Sequence, residues 1–159
     1  MDKLTQGAIG DFAPGDEFTV FSIPAGKFGV SISYEIYFPA EVRRFVQHGA
    51  EFLINITNDA WYGRSAAPYQ HVAMTVFRAV ENQRYLVRAA NTGISAVVAP
   101  DGRIVSSSGL FERTAVTGTI AANDGLTFYA RYGDVFGSGV ASGVGIAVLA
   151  AIRRYRQKR

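Results

Sequence analysis

A serine, a tyrosine and a glutamate occupy positions 33 to 35, at the end of a run typical of a β-strand. The β-branched Val30 and Ile32 in an alternating run predict the strand, and Pro39 predicts that a turn or a helix follows. Hydrolases and acyltransferases commonly expose a nucleophile at such a turn. We therefore interpret Ser33 as a candidate nucleophile, with Glu35 and the Tyr34 backbone N–H as candidate catalytic groups. The alternative is an ordinary serine at a strand end, beside a core tyrosine and a surface salt bridge.

A second polar group follows another predicted strand, at residues 52–57, whose nearly continuous apolar character indicates burial on both faces. Asn58, Asp59 and Trp61 come directly after it. Active sites collect at the carboxyl ends of strands in α/β sheets, so these three side chains are candidate substrate-binding residues. For Trp61, a packing role is the alternative.

Alternating strands and helices must position these residues. Apolar periodicity predicts helices over 39–48 and 68–83, with His71 as a structural residue on the second. The remaining patterns predict strands at the following places: 18–23, 85–90, 94–99, 103–106 and 116–121. The order favours a mixed α/β sheet layered with helices. Four charged residues of the central region are interpreted as a salt-bridge lattice without chemistry: Arg78, Glu81, Arg84 and Arg88.

The composition excludes several classes of function. The 159 residues include no cysteine, which rules out disulfides and thiolate metal sites, and no metal-ligand spacing or phosphate-binding loop occurs. We expect neither a metal nor a cofactor. The net charge of +3 originates in the last seven residues, five of which are basic. Because no basic surface is spread over the body of the chain, we expect no nucleic-acid partner.

The segment from 135 to 152 carries no charge, and a basic cluster at 153–159 follows it at once. Eighteen helical residues span about 27 Å, close to the hydrocarbon thickness of a bilayer, so we predict a transmembrane helix with a cytoplasmic C-terminus. The alternative is a buried helix or a flexible tail. The N-terminus shows no signal-peptide pattern, which favours a C-terminal part of a longer polytopic membrane protein.

Several short motifs, taken in order, resemble the nitrilase superfamily and, within it, the apolipoprotein N-acyltransferases of bacterial inner membranes. The motifs occupy the following segments: 32–36 (ISYEI), 55–63 (NITNDAWYG), 68–71 (PYQH), 78–81 (RAVE), 88–95 (RAANTGIS) and 125–134 (GLTFYARYGD). The resemblance extends from about residue 18 to the end, and the terminal span distinguishes this branch from soluble nitrilases and amidases.

The resemblance implies the C-terminal part of a nitrilase-like α-β-β-α sandwich over 1–134, a transmembrane helix over 135–152 and a basic cytoplasmic tail over 153–159. It implies an enzyme that moves an acyl chain from a phospholipid, through an acyl-enzyme, to the N-terminal amine of a diacylglyceryl-cysteine apolipoprotein. The expected partners are the phospholipid donor, the apolipoprotein N-terminus, the membrane and a missing N-terminal half of the same protein. The expected location is the bacterial inner membrane, with residues before the span in the periplasm.

The chain departs from the family pattern at two points. The family has a cysteine nucleophile where this chain has Ser33, and its Glu base and Lys oxyanion stabiliser have no matching motifs upstream of that position. A thiol ionises far more readily than a serine hydroxyl, so the chain alone is expected to be inactive. Glu35 lies two residues after the nucleophile position, at the elbow, where we expect its carboxylate to orient the incoming amine or the catalytic lysine. Two alternatives remain open, namely a nitrilase- or amidase-type C–N hydrolase fragment and a non-catalytic binder of lipid or lipopeptide.

Overall fold

The computed structural model describes residues 15–157 and contains one six-stranded sheet with four helices. The strands are β1 (Val20–Ile23), β2 (Gly26–Ile32), β3 (Phe52–Asn58), β4 (Leu86–Asn91), β5 (Ala96–Val98) and β6 (Ile104–Ser107). The helices are α1 (Pro39–Gln47), α2 (Ala67–Asn82), α3 (Phe128–Tyr132) and α4 (Val135–Gln157). Two short 3₁₀ turns, Ser33–Tyr37 and Ala60–Tyr62, follow β2 and β3.

The sheet follows the order of the sequence, from β1 to β6. The three central strands β2, β3 and β4 are parallel, whereas β1, β5 and β6 join them in antiparallel pairs. The crossover from β2 to β3 contains α1, and the crossover from β3 to β4 contains α2. Parallel pairing brings the carboxyl ends of β2, β3 and β4 to one edge of the sheet. That edge carries Ser33, Asp59 and Asn91.

The hydrophobic core lies between one face of the sheet and the helices α1, α2 and α3. Pro39 stands in the first turn of α1, and the apolar stripe of that helix buries Val42 and Val46. Leu53 of β3 and Leu86 of β4 meet them from the sheet. The helical periodicity predicted for this region is therefore confirmed.

The opposite face of the sheet is apolar and only partly covered. Its residues alternate with the core-facing ones, and the register aligns Val30 with Ile54 and Ile32 with Ile56. Ile32 is 58% exposed and Ile56 is 44% exposed. Such a face is typical of a sheet that packs against a second layer.

One predicted strand is wrong. Residues 116–121 form no strand, although they cross the sheet near β5, where Gly118 faces Val97 and the Thr117 carbonyl accepts from the Ser106 hydroxyl. Most residues of this segment are exposed, and its β-branched composition does not lead to pairing with a strand edge. The strands at 18–23 and 94–99 are confirmed but shorter, at Val20–Ile23 and Ala96–Val98.

Helix α4 contains 23 residues, and none of them is buried. It is long and apolar enough to cross a membrane by length and composition. The helix begins at Val135, as the uncharged run predicts, and continues into the basic segment as far as Gln157. Lys158 and Arg159, the last residues of the predicted tail, lie outside the described residues.

Candidate active site

Ser33 is the first residue of the 3₁₀ turn that follows β2, and the chain forms a sharp elbow there. Its φ is +50°, in the left-handed region that a non-glycine residue rarely occupies. The Glu35 carboxylate accepts a hydrogen bond from the Ile32 backbone N–H at 2.6 Å and so closes the turn. Strained backbone of this kind persists only where surrounding contacts enforce it, and it clusters at functional sites.

The contacts beneath the elbow come from the core-facing side of β3. Asn55, Thr57 and Asp59 are two residues apart, so their side chains point to the same side. The Asn55 amide donates to the Ser31 carbonyl at 3.2 Å and to the Ser33 carbonyl at 3.4 Å. The Thr57 hydroxyl lies 3.3 Å from the Ser33 hydroxyl and 3.0 Å from an Asp59 carboxylate oxygen. Thus β3 supports both the backbone and the side chain of residue 33.

A buried ion pair anchors this group. Arg88 Nη2 lies 2.7 Å from Asp59 Oδ2, and both side chains are fully buried. The register of β4 on β3 places Arg88 opposite Asn55, and the guanidinium donates to the Asn55 side-chain oxygen. That bond turns the Asn55 amide nitrogen towards the elbow. Burial lowers the pKa of Arg88, but nearby Asp59 opposes the shift, and the group stays charged near neutrality.

His71 of α2 completes the buried network. Its Nδ1 lies 3.0 Å from Asp59 Oδ1, and its Nε2 lies 3.2 Å from the Ser33 carbonyl oxygen. Burial, aided by the charge of Arg88, lowers the pKa of His71, so the ring is neutral near pH 7. A neutral ring has one N–H, which the carboxylate draws to Nδ1. The contact between Nε2 and the elbow carbonyl becomes a hydrogen bond only when the ring is protonated.

The candidate catalytic residues lie together at the elbow. Ser33 is half-buried, whereas Tyr34 and Glu35 are exposed. The Tyr34 ring stacks on Tyr37, with ring centroids 4.3 Å apart. It is 54% exposed and therefore does not belong to the hydrophobic core. Glu35 uses one carboxylate oxygen to cap the turn, and its other oxygen accepts no hydrogen bond from residues 15–157. The catalytic roles of these three residues stay predictions.

The candidate substrate-binding residues are divided between the surface and the interior. Trp61 is 80% exposed and Asn58 is also exposed, whereas Asp59 is 1% exposed. Both Asp59 oxygens already accept hydrogen bonds from neighbouring side chains. Substrate binding by these residues stays a prediction, and the burial of Asp59 favours a supporting role for that residue.

Sequence reasoning did not assign Asn55 or Thr57 to the site, and it gave Arg88 no chemistry. Asn55 and Thr57 could have been found from their two-residue spacing, because polar side chains at that spacing in an apolar strand lie on one face. The predicted salt-bridge lattice is divided in the structure. Arg78 donates to Glu81 at 2.9 Å, but the Arg84 guanidinium binds backbone carbonyls, including Ala50 O at 2.9 Å, and Arg88 pairs with Asp59.

Over residues 7–125, the sequence matches the carbon-nitrogen hydrolase family. The chain belongs to this family. Among solved structures of this fold, it is similar to Nit3 of Saccharomyces cerevisiae, a nitrilase-superfamily member, with 29% identity and a TM-score of 0.54, over 64% of this chain and 40% of that one. The predicted nitrilase-like fold class is therefore confirmed.

Two further similarities concern a solved amidase and the branch of the family. An amidase from Nesterenkonia sp. AN1 is 26% identical with a TM-score of 0.51, over 62% of this chain and 41% of that one, and has an active-site cysteine. The apolipoprotein N-acyltransferase of Geobacter metallireducens is 45% identical over 97% of this chain. This carbon-nitrogen hydrolase chain spans 29% of the length of that relative. The predicted resemblance to apolipoprotein N-acyltransferases is confirmed.

The arrangement is suited to nucleophilic acyl chemistry. A half-buried residue on a strained elbow is fixed from below by buried polar side chains, as is typical of a positioned nucleophile. Within residues 15–157, no group of three or more His, Cys, Asp or Glu side chains could hold a metal ion.

Proposed function

We propose that this chain is the C-terminal part of a membrane acyltransferase with residue 33 as the nucleophile position. The acyltransferase would move an acyl chain from a phospholipid to the N-terminal amine of a diacylglyceryl-cysteine apolipoprotein. The observation that carries the proposal is the elbow, where Ser33 adopts a φ of +50° above the buried Asp59–Arg88 pair. The similarity to apolipoprotein N-acyltransferases supplies the reaction class.

The reaction would proceed in two acyl transfers. A cysteine thiolate at position 33 attacks the ester carbonyl of the phospholipid, a thioester forms, the ester C–O bond breaks and the lysophospholipid oxygen takes a proton. The apolipoprotein amine then attacks the thioester, an amide forms and the thiol is released. The Tyr34 N–H would stabilise the oxyanion of each tetrahedral intermediate, and Glu35 would orient the amine.

Serine at position 33 would leave the chain inactive in this reaction. A serine hydroxyl is hardly ionised at neutral pH and needs a strongly positioned base. The buried carboxylate beneath the elbow, Asp59, is paired with Arg88 and is separated from the Ser33 hydroxyl by Thr57, so it is not placed to act as that base. The family's Glu and Lys would come from an N-terminal half that this chain lacks.

The apolar sheet face that is only partly covered is an argument for such an N-terminal half. Ile32 and Ile56 present apolar surface where the core-facing side of the same strands is buried. In an α-β-β-α sandwich, a second sheet would cover this face and exclude water from it. The N-terminal half of the same protein is therefore the proposed partner of the Ile32–Ile56 surface.

Helix α4 supports a location at the bacterial inner membrane. Its unburied apolar side chains are suited to lipid, and the arginines of its last turn, Arg154 and Arg156, would remain in the cytoplasm by the positive-inside rule. Residues before Val135 would then lie in the periplasm. There the elbow would be close to phospholipid donors and lipoprotein acceptors.

A chimera tests the proposed reaction directly. This chain replaces the corresponding C-terminal segment of the Geobacter metallireducens relative, in one version with Ser33 and in another with Ser33→Cys. We expect the Ser33→Cys chimera to form a thioester on incubation with phospholipid and to acylate an apolipoprotein peptide. The version with Ser33 should form no adduct. Intact-mass spectrometry measures the adduct, and chromatography of the peptide measures transfer.

The matched control is Ser31→Cys, which introduces a thiol two residues earlier, within β2 and beneath the elbow, where it is buried. This control should acquire no acyl group. A Ser33→Cys chimera that is folded and inserted in membranes, yet forms no thioester, would contradict the proposal. Acylation of the Ser31→Cys control would contradict the assignment of the position.

The second candidate is an amidase-type C–N hydrolase, which the similarity to the Nesterenkonia amidase favours. Hydrolysis of short amides by the Ser33→Cys chimera, without transfer to peptide amines, would support it. Extraction of the chain from membranes by carbonate would also support it, since the acyltransferase requires α4 to span the bilayer. Binding of lipopeptide without any adduct would indicate a non-catalytic module.

A further inference from the structure

Thr57 is placed between the nucleophile position and a buried carboxylate. Its hydroxyl oxygen is 3.3 Å from Ser33 Oγ on one side and 3.0 Å from Asp59 Oδ1 on the other. A hydroxyl group has one proton to donate and two lone pairs to accept with. The direction of its hydrogen bonds therefore decides whether the Thr57 hydroxyl donates to Ser33 Oγ or accepts from it.

The charge of Asp59 fixes that direction. A carboxylate that forms an ion pair only accepts hydrogen bonds, and Arg88 Nη2 lies 2.7 Å from Asp59 Oδ2. The Thr57 proton must therefore point at Asp59. The Thr57 oxygen is then left to accept a proton from the side chain of residue 33. A charge-assisted bond of this kind is stronger than a bond between neutral groups, so the orientation is held firmly.

We propose that Asp59 is a positioning residue for the nucleophile, because it orients the Thr57 oxygen as an acceptor for the side chain of residue 33. The hydrogen bond selects one rotamer of that side chain and stabilises its protonated form until a base acts on it. The negative charge of Asp59, two hydrogen bonds away, acts in the same sense. This inference rests on the proposed nucleophile position, but it concerns the resting site rather than the acyl transfer.

The remaining side chains of the buried network contact the Asp59 carboxylate and not the hydroxyl of residue 33. Arg88 neutralises the carboxylate, and His71 Nδ1 faces its Oδ1 at 3.0 Å. Tyr37 and Tyr62 pack on the His71 ring, with centroids 5.3 Å and 6.2 Å away. These neighbours replace the water that a carboxylate would otherwise bind, so Asp59 can be buried without contact to solvent.

The absence of cysteine from the chain makes a direct test possible. Ser33→Cys introduces the only thiol among the 159 residues, so alkylation of the full chain in detergent reports on position 33 alone. The rate of alkylation by iodoacetamide, followed by intact-mass spectrometry from pH 6 to 10, gives the pKa of that thiol. No acyl donor, acceptor or catalytic base is involved. A failed titration and a failed acyl transfer are therefore distinguishable.

Two variants in the Ser33→Cys background carry the test. Asp59→Asn removes the negative charge but leaves Arg88, so the thiol pKa should fall by about one unit, which corresponds to about tenfold more thiolate at a pH below the pKa. Thr57→Val removes the acceptor at nearly constant volume, and the pKa should fall by about half a unit, the equivalent of one modest hydrogen bond. Thr57→Ser retains the hydroxyl and should restore the original profile.

The matched controls are Asp101→Asn and Thr114→Val, which alter an exposed carboxylate and an exposed hydroxyl. Neither should move the thiol pKa. Circular dichroism establishes which variants are folded. An unchanged thiol pKa in folded Asp59→Asn would overturn the proposal. If Asp59→Asn fails to fold, Thr57→Val and Thr57→Ser decide, because both leave the Asp59–Arg88 pair intact, and identical profiles for the two would overturn it.

Discussion

Arg88 Nη2 and Asp59 Oδ2 are 2.7 Å apart at the carboxyl edge of the sheet, and neither side chain reaches solvent. Adjacent parallel strands supply the two residues, since β4 carries Arg88 and Asp59 follows β3 directly. An arginine buried without a partner costs several kcal/mol, so each residue requires the other. The pair therefore links the pairing of the central strands to the geometry of the elbow.

Removal of the arginine should strongly destabilise the fold. Arg88→Leu leaves the Asp59 carboxylate buried without its counter-charge, and we expect a loss of about 3–5 kcal/mol in the free energy of unfolding, measured by urea denaturation. The matched control is Arg103→Leu, whose partner Asp101 is 3.8 Å away and whose side chain is 66% exposed. That control should change stability by less than about 1 kcal/mol. Equal losses in both variants would contradict a special role for the buried pair.

Acid should destabilise the protein through His71. Burial lowers the pKa of His71 below its ordinary value of 6.5, so the unfolded chain binds this proton more readily than the folded chain. The contribution of His71 to stability is therefore complete above about pH 6.5 and is lost as the pH falls through its folded pKa. Urea midpoints between pH 7.5 and 5 measure this loss, in a range above most carboxylate titrations.

Two variants separate His71 from the other histidine of the chain. His71→Gln should remove the loss of stability between pH 7 and 5, because no titrating ring remains in the network. His48→Gln should retain it, since His48 is exposed. If the pH dependence survives in His71→Gln, another group must be its source.

A methyl group at position 93 should displace Asp59. A Cβ built on Gly93 would overlap the Asp59 carboxylate, a buried group that cannot move without breaking its contact with Arg88. We expect Gly93→Ala to lower the free energy of unfolding by about 1–3 kcal/mol. Gly125→Ala is the control, because its Cβ would meet ordinary contact distances. A neutral Gly93→Ala variant would show that the carboxylate has room to shift.

The two faces of β3 should respond differently to substitution. Leu53→Ala empties a site in the core and should cost about 2–5 kcal/mol in the free energy of unfolding. Ile56→Thr alters the uncovered face, where the side chain is already 44% exposed, and should cost less than about 1 kcal/mol in this chain. In the chimera with the Geobacter metallireducens relative, where a second sheet would cover this face, the cost of Ile56→Thr should rise. A cost that is the same in chain and chimera would contradict such a cover.

Much of the fold could be predicted because it depends on local periodicity. The stripe of Val42 and Val46 indicated α1, and the apolar run from 52 to 57 indicated β3, since spacing along the chain reports which side chains share a face. The prediction of a strand at 116–121 was wrong because it also depended on local periodicity alone. Its β-branched residues match a strand locally, but strand formation also needs a neighbouring edge with which to pair, and sequence alone does not show one.

The sequence alone determined the elbow, the neighbouring polar group after β3 and the apolar terminal helix, because strand ends, turn residues and uncharged runs are properties of adjacent residues. Only the tertiary structure decided what lies beneath Ser33. The contacts among Asp59, Arg88 and His71 join residues 12 to 29 positions apart, and they depend on the register of β4 and the packing of α2. The sequence predicted that Asp59 binds substrate, whereas the structure buries it. A buried carboxylate has no water to bind and therefore requires the hydrogen bonds of its protein neighbours.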